Sequence, residues 1–133
     1  TFWPARMQVM QRNPVVIVDG AHNPHGAKAL AESLEGLKSG NLILVFGCLK
    51  DKDAAGMLRQ YKPDKVIITS PKSDRAFSKT ELGKVFKAKK AILPVSAAIK
   101  NALEIASKND LVLVTGSLYT AGEALQYFKC RTV

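Results

Sequence analysis

No apolar run in this chain is longer than five residues: the longest, Leu42–Phe46 and 111–114, fall far short of the roughly 20 residues that a membrane-spanning helix needs, so the chain is not expected to cross a bilayer. A basic-then-apolar leader is also missing from residues 1–20. Cysteine is scarce. Cys48 and Cys130 make no disulfide framework, and neither has a metal-ligand companion at suitable spacing, so Cys48 is expected to be a small apolar filler and Cys130 a surface residue. That usage suits a reducing compartment, and a cytoplasmic setting is expected. Aromatics are few, five Phe, three Tyr and one Trp, and they form no platform, finger or recognition helix of the kind that nucleic-acid-binding modules carry. A phosphate-cradling G-x-x-x-x-G-K-[ST] loop is absent as well, as is an acid-and-hydroxyl set for magnesium.

What is there is a globular composition. The 133 residues, 47% apolar and 23% charged, suit a single domain (1–133) large enough to bury a core. Twenty Lys and Arg stand against eleven Asp and Glu, a formal charge of +9, and a field of that sign attracts polyanions. Nucleic acid, anionic lipid or a polyanionic small molecule would each answer to it, and with no nucleic-acid module in view nucleic acid is not the favoured one. Lys79, Lys84, Lys87, Lys89 and Lys90 fall in one polar segment and read as a solvated helix face, or else as cations that help to draw in anionic ligands. The chain opens on Thr1-Phe2-Trp3-Pro4 rather than on Met, and it is expected to be part of something longer.

Strand-length apolar runs lie at 7–10, 15–18, 42–46, 66–69, 92–95 and 111–115. Several, such as V-V-I-V, L-I-L-V-F and L-V-L-V-T, are apolar on both faces, as in a parallel sheet covered by helices on each side. Between them, 25–37 carries an apolar stripe of Ala29, Leu30, Leu34 and Leu37. Asp53 caps a helix to Tyr61 that carries Met57, Leu58 and Tyr61 inward, and Ser78 or Thr80 caps one whose inner face is Leu82, Val85 and Phe86. Ser96 caps one holding Ile99, Leu103 and Ile105, and 121–128 makes a short last helix. The alternation predicts an α/β, Rossmann-like, doubly wound six-stranded sheet with helices on both faces. Because only Gln11-Arg12-Asn13-Pro14 joins the first two runs, that pair is expected to be antiparallel and the rest parallel.

Ligands of such sheets lie outside the carboxyl ends of the strands. The corresponding loops are D-G-A-H-N-P from Asp19, G-C-L-K-D-K-D from Gly47, S-P-K-S-D-R from Ser70 and G-S-L-Y-T-A-G from Gly116. Asp19, at a strand end, can accept hydrogen bonds from vicinal ribose hydroxyls, or it can stabilise its own turn. Gly20 and Ala21 keep that turn small, His22 and Asn23 add donors and acceptors, and Pro24 fits a first helical turn. His25, just inside the helix, reads as structural. Lys50 and Lys52 can bind an anion or simply be surface lysines. Ser117 and Tyr119 can donate to a ligand, or cap the next helix. Ser117 is not expected to be a nucleophile, since G-S-L-Y lacks the G-x-S-x-G elbow.

Taken in order, W-P-A-R, D-G-A-H-N-P-H-G-A, F-G-C-L-K-D-K-D and T-G-S-L-Y-T-A-G-E resemble the C-terminal domain of folylpolyglutamate synthase/dihydrofolate synthase, within the Mur ligase superfamily. The blocks run from Trp3 to Glu123 and so cover almost the whole chain. Gly at position 20, where the peptidoglycan ligases usually carry Tyr, and the G-S-L-Y block are similar to the folate branch. Ala5 departs from the family's usual Gly.

The resemblance implies the ATP- and glutamate-binding half of an amide ligase. ATP phosphorylates a carboxylate of folate or dihydropteroate, and the amino group of L-glutamate attacks the acyl phosphate. It implies Arg6 at the ATP phosphates, Asp19 at the ribose, and His22 and Asn23 beside the nucleotide. Lys52, preferred to Lys50, would lie at a glutamate carboxylate, with Ser117 and Tyr119 at the incoming amino acid. The P-loop and magnesium ligands would lie in a larger N-terminal domain of the same parent chain, so no catalytic residue and no metal ligand is expected here, and this domain alone should be inactive. The alternative is a non-catalytic Rossmann-like module that binds a nucleotide or another anion.

Overall fold

Alternating runs in the sequence become alternating layers in the structure. A computed structural model describes residues 7–37, 40–87 and 89–131, and Arg6 therefore lies outside the described residues. The element order is β1 (Gln8–Gln11), β2 (Val15–Val18), α1 (Pro24–Leu34), β3 (Leu42–Phe46), α2 (Ala54–Tyr61), β4 (Lys65–Ile68), α3 (Lys79–Val85), β5 (Lys90–Ala91), α4 (Val95–Ile105), β6 (Leu111–Thr115) and α5 (Leu118–Arg131). The six strands form one sheet in the order β1-β2-β6-β3-β4-β5. Only the β1 and β2 pair is antiparallel, with its register shifting between Val9 and Gln11; the other pairings are parallel.

Alternation within each strand feeds two cores. On one face Val16, Val18, Ile43, Val45, Val112 and Val114 pack against α4 and α5 through Ala98, Ile99, Ala124 and Phe128. On the other, Ile17, Leu44, Phe46, Leu111 and Leu113 pack against α1, α2 and α3 through Leu30, Leu34, Met57, Tyr61 and Leu82. Strands apolar on both sides are the sequence signature of this double cover. The helix that follows β2, and the one that follows β3, lie on the second face, whereas α5, which follows the intervening β6, lies on the first. The connection out of β6 thus leaves on the opposite face from those out of both its neighbours, and open α/β sheets form their binding crevice where such connections diverge.

Four boundaries depart from the pattern. The strand expected at 92–95 is Lys90–Ala91, because Pro94 has no N–H for a ladder, and Val95, fully buried, begins α4 instead. Pro94, not Ser96, is the N-cap of that helix, and it makes no side-chain cap bond. Helix α1 stops at Leu34, after which Gly36 takes φ +87°, so Leu37 leaves the expected stripe and is 49% exposed. Val85 likewise faces out, while Leu82 and Phe86 are buried. Helix α5 begins three residues before the expected Ala121 because Ser117 caps it. Asp53 and Ser78 are caps as expected, and Ser78 forms a reciprocal capping box with Glu81.

No described helix is long and apolar enough to cross a membrane.

Candidate functional site

The β2–α1 turn grows out of the ladder: the Asp19 amide still donates to Val114 O at 3.1 Å, which sets the carboxylate at the strand's end. One carboxylate oxygen accepts from Met7 N at 2.9 Å and the other from Ala21 N at 2.7 Å. Asp19 thus ties the turn to the segment leading into β1, and it is only 8% exposed. Each carboxylate oxygen has two acceptor directions, so these bonds leave capacity for further donors. His22 Nδ1 lies 3.1 Å from Gly20 O. Asn23 is the N-cap of α1, its Oδ1 accepting from Gly26 N at 2.7 Å, with Pro24 at the first helical position. His22, Asn23 and His25 are exposed.

Beside the turn lies an open cleft of about 300 Å³. Asp19, His22 and Asn23 stand at its polar end, and Met7, Ala29, Leu30 and Leu118 supply apolar wall. A mostly apolar slot with a few convergent polar groups is the usual form of a small-molecule site. Three of the expected nucleotide-side residues therefore share one cleft.

The loop after β3 is pinned to the loop after β4. Leu49 bridges to Ala76, Lys50 N donates to Arg75 O at 2.9 Å, and Arg75 pairs with Asp51 at 2.9 Å. The Arg75 guanidinium holds the Asp51 carboxyl below its ordinary range. Lys50 lies 3.7 Å from Glu81, whereas Lys52, half-buried, makes no ion pair among the described residues. Cys48 is buried, and burial pushes its thiol up to about 11, which leaves it an inert core atom at neutral pH.

The β6–α5 turn faces inward. Gly116 has φ +125°, and a Cβ there would meet the Gly47 carbonyl oxygen at 2.5 Å. Glycine is thus required by conformation and by contact. The Ser117 hydroxyl accepts from Thr120 N at 2.9 Å and donates to Thr120 Oγ1 at 3.0 Å; Thr120 Oγ1 in turn donates to Gly47 O at 2.6 Å. Ser117 is 2% exposed, so its hydroxyl serves the helix cap and the link to β3. Tyr119, by contrast, is 50% exposed. Further along α5, Glu123 accepts from Lys72 N at 2.7 Å and fixes the β4 loop, a role no motif announced.

Sequence reasoning turned Tyr61 inward on its helix and ran the last strand to Thr115, but gave neither a role. Both are buried, and neither hydroxyl makes a hydrogen bond of good geometry among the described residues, although the two hydroxyls act on each other. Burial, reinforced by the nearby Asp19 charge, pushes the Tyr61 phenol well above its ordinary pKa, while the Thr115 hydroxyl acts the other way. The signal available was slight: a tyrosine on the inner face of a helix's last turn.

A mostly parallel sheet with its crevice beside β6, and a strand-end acid heading an apolar cleft, define a Rossmann-like domain of the doubly wound class with a candidate ligand site. A family model, Mur ligase, glutamate ligase domain, matches residues 5–118, and the chain belongs to that family. It is 41% identical over 123 residues to the dihydrofolate synthase/folylpolyglutamate synthase of Haemophilus influenzae, a match covering 83% of this chain and 28% of that protein. Among solved structures it is similar to Escherichia coli FolC in complex with DHPP and ADP, with a TM-score of 0.88 and 32% identity over 98% of this chain and 32% of that one. A bifunctional folylpolyglutamate synthase/dihydrofolate synthase with Mn, AMPPNP and L-glutamate bound gives a TM-score of 0.87 and 30% identity over 96% of this chain and 32% of that one. The chain spans less than a third of the length of each of these relatives, and the resemblance to the C-terminal domain of folylpolyglutamate synthase/dihydrofolate synthase holds.

Proposed function

We propose that this chain is the ATP- and glutamate-binding half of a cytoplasmic two-domain ligase that adds L-glutamate to folate or dihydropteroate through an acyl phosphate. The observation that carries the reading is Asp19, a nearly buried carboxylate with acceptor capacity to spare, at the head of a mostly apolar cleft at the sheet's crevice. Its free acceptor directions suit the two vicinal hydroxyls of a ribose, and the apolar wall suits a planar base. His22 and Asn23 flank the nucleotide, and Arg6 binds its phosphates. The nucleotides and glutamate named for the relatives support the same ligands here.

On the neighbouring rim, Lys52 is the better partner for a glutamate carboxylate, since Lys50 already faces Glu81. Tyr119 offers an exposed phenol to the incoming amino acid, and Ser117 contributes through the turn it caps. The basic excess favours the approach of three anionic reactants to the domain. The magnesium ligands and the P-loop belong, on this reading, to a preceding domain, and closure of the two would keep water from the acyl phosphate.

The test is nucleotide discrimination by the full-length ligase. A lost charge-assisted hydrogen bond is worth about 1.5 to 3 kcal/mol, so Asp19→Ala should lower kcat/KM for ATP roughly 10- to 100-fold. Replacing ATP with 2′,3′-dideoxy-ATP should erase that penalty, because the hydroxyls served by Asp19 are gone. An Asp19→Ala variant that loses stability but keeps the wild-type ratio between the two nucleotides would assign this acid to the turn alone. The 133-residue chain by itself should show no turnover with ATP, glutamate and a folate substrate.

A further inference from the structure

Three of the rim loops are tied to one another in a closed ring. The loop after β3 meets the loop after β4 through the bond from Lys50 N to Arg75 O at 2.9 Å and through the Leu49 to Ala76 bridge. The turn after β6 reaches the loop after β3 through Thr120 Oγ1, which donates to Gly47 O at 2.6 Å. The ring closes where Lys72 N, in the loop after β4, donates to Glu123 Oε2 at 2.7 Å, across 51 positions of the chain. Thr120 and Glu123 stand one turn apart in α5, so one face of its opening turns holds both neighbouring loops. Asp19 is outside this ring, since its carboxylate bonds run to Met7 N and Ala21 N.

The bond at Glu123 governs more than one amide. The loop after β4 is braced within itself: Ser70 Oγ donates to Phe77 O at 2.6 Å, and Ala76 N donates to Ser73 O at 3.0 Å. A loop braced in this way moves as a unit, so a hold on Lys72 also sets how Arg75 and Ala76 lie against Leu49 and Lys50. Lys52 belongs to that same turn, its amide donating to Leu49 O at 3.2 Å. Glu123 is half-buried, and a backbone amide bonds more strongly to a carboxylate than to a neutral acceptor. The proposed function gives this carboxylate no part.

We propose that Glu123 is a positioning residue for the amino-acid substrate: its hold on Lys72 N closes the ring that keeps Lys52, on one loop, and Tyr119, at the head of α5, in fixed relation. The inference rests on the assignment of Lys52 and Tyr119 to glutamate. A substrate gripped by groups on two separate loops keeps its reactive geometry only while those loops keep their spacing. Opening the ring at Glu123 leaves both gripping side chains in place but holds the loop after β4 from one side only. The turn that carries Asp19 takes its bonds elsewhere, so the nucleotide side does not share in the loss.

The test uses the full-length ligase and reads kinetics and hydrogen exchange together. Glu123→Ala should raise the KM for glutamate roughly 3- to 10-fold and leave the KM for ATP unmoved. Glu123→Gln keeps an acceptor oxygen in the same place and should bring the glutamate KM back to within about twofold of wild type. Exchange of the Lys72 amide should quicken in Glu123→Ala but not in Glu123→Gln, while the unfolding midpoint barely shifts. Added to Lys52→Ala, Glu123→Ala should have little further effect on the glutamate KM, as expected for residues that act through one group. Equal rises in both KM values, or a Gln variant as impaired as the Ala variant, would make Glu123 an ordinary structural residue and overturn the inference. An unchanged Lys72 exchange rate in Glu123→Ala would do the same, whatever the ligase binds. So would an unchanged glutamate KM for Glu123→Ala beside a raised one for Lys52→Ala, an outcome that leaves the glutamate assignment standing. If Lys52→Ala and Tyr119→Phe both leave the glutamate KM where it is, that assignment fails and the inference falls with it.

Discussion

The turn after β2 and the turn after β6 leave adjacent parallel strands at the same rim, and each starts a helix with a short polar residue, yet their side chains face opposite ways. Asn23 caps α1 while standing exposed, and Asp19 presents a carboxylate at the head of a cleft. Ser117 caps α5 from a buried position, and its hydroxyl bonds run inward to Thr120 and on to Gly47. The difference traces to backbone contact. Gly116 lies against Gly47, which draws the second turn down onto β3, whereas Gly20 and Ala21 line open space beside the first. Polar residues in neighbouring motifs thus divide into groups that face the open cleft and groups that make the rim rigid. On the proposed function, a site that must hold two reactants in fixed relation needs both.

The contrast is broken most severely at Gly116. A side chain there requires an unfavourable φ and a collision with the Gly47 backbone, so Gly116→Ala should cost about 3 kcal/mol, read as a fall in the urea midpoint of this chain. Ser117→Ala comes next. Loss of a buried cap with a linked hydroxyl should cost about 1 to 2 kcal/mol, and any rise in glutamate KM should accompany that loss. Asn23→Ala removes an exposed cap and should cost about 1 kcal/mol in the same assay. Were Asn23→Ala to cost more than Ser117→Ala, the inward and outward assignments of the two turns would be reversed. The smallest effect belongs to Lys50→Ala, which removes an exposed ion pair with Glu81 and should change stability by less than about 0.5 kcal/mol. Lys52→Ala should be equally silent in unfolding but should raise the glutamate KM of the full-length ligase, which Lys50→Ala should not.

Much of the fold was legible because both-face apolar strands and helix caps are local signals. L-I-L-V-F and L-V-L-V-T became the two central strands β3 and β6, and Asp53 and Ser78 began the helices they were expected to begin. Positions 92–95 were misread because a short apolar run serves equally as a strand or as the buried start of a helix, and Pro94 settles the choice only once ladder bonds are counted. Leu37 and Val85 were expected inside on spacing alone, and the end of each helix turns them out. For the site, the four loops at strand ends follow from topology, and Asp19, His22 and Asn23 do share a cleft. Which way Ser117 faces was not legible, since it depends on Gly47, 70 positions away in the chain. The same holds for Thr115, which neighbours Asp19 only through strand register, and for Tyr61, which joins that face only through the packing of α2.

The central claim, that the β2–α1 turn holds the sugar of a nucleotide, is tested most directly by a crystal structure of the full-length ligase with a non-hydrolysable ATP analogue. Both ribose hydroxyls should lie about 3 Å from the Asp19 carboxylate oxygens, with the Met7 and Ala21 amides still donating to it. A nucleotide bound with its ribose hydroxyls on other residues, and Asp19 bonded only within its own turn, would contradict the account.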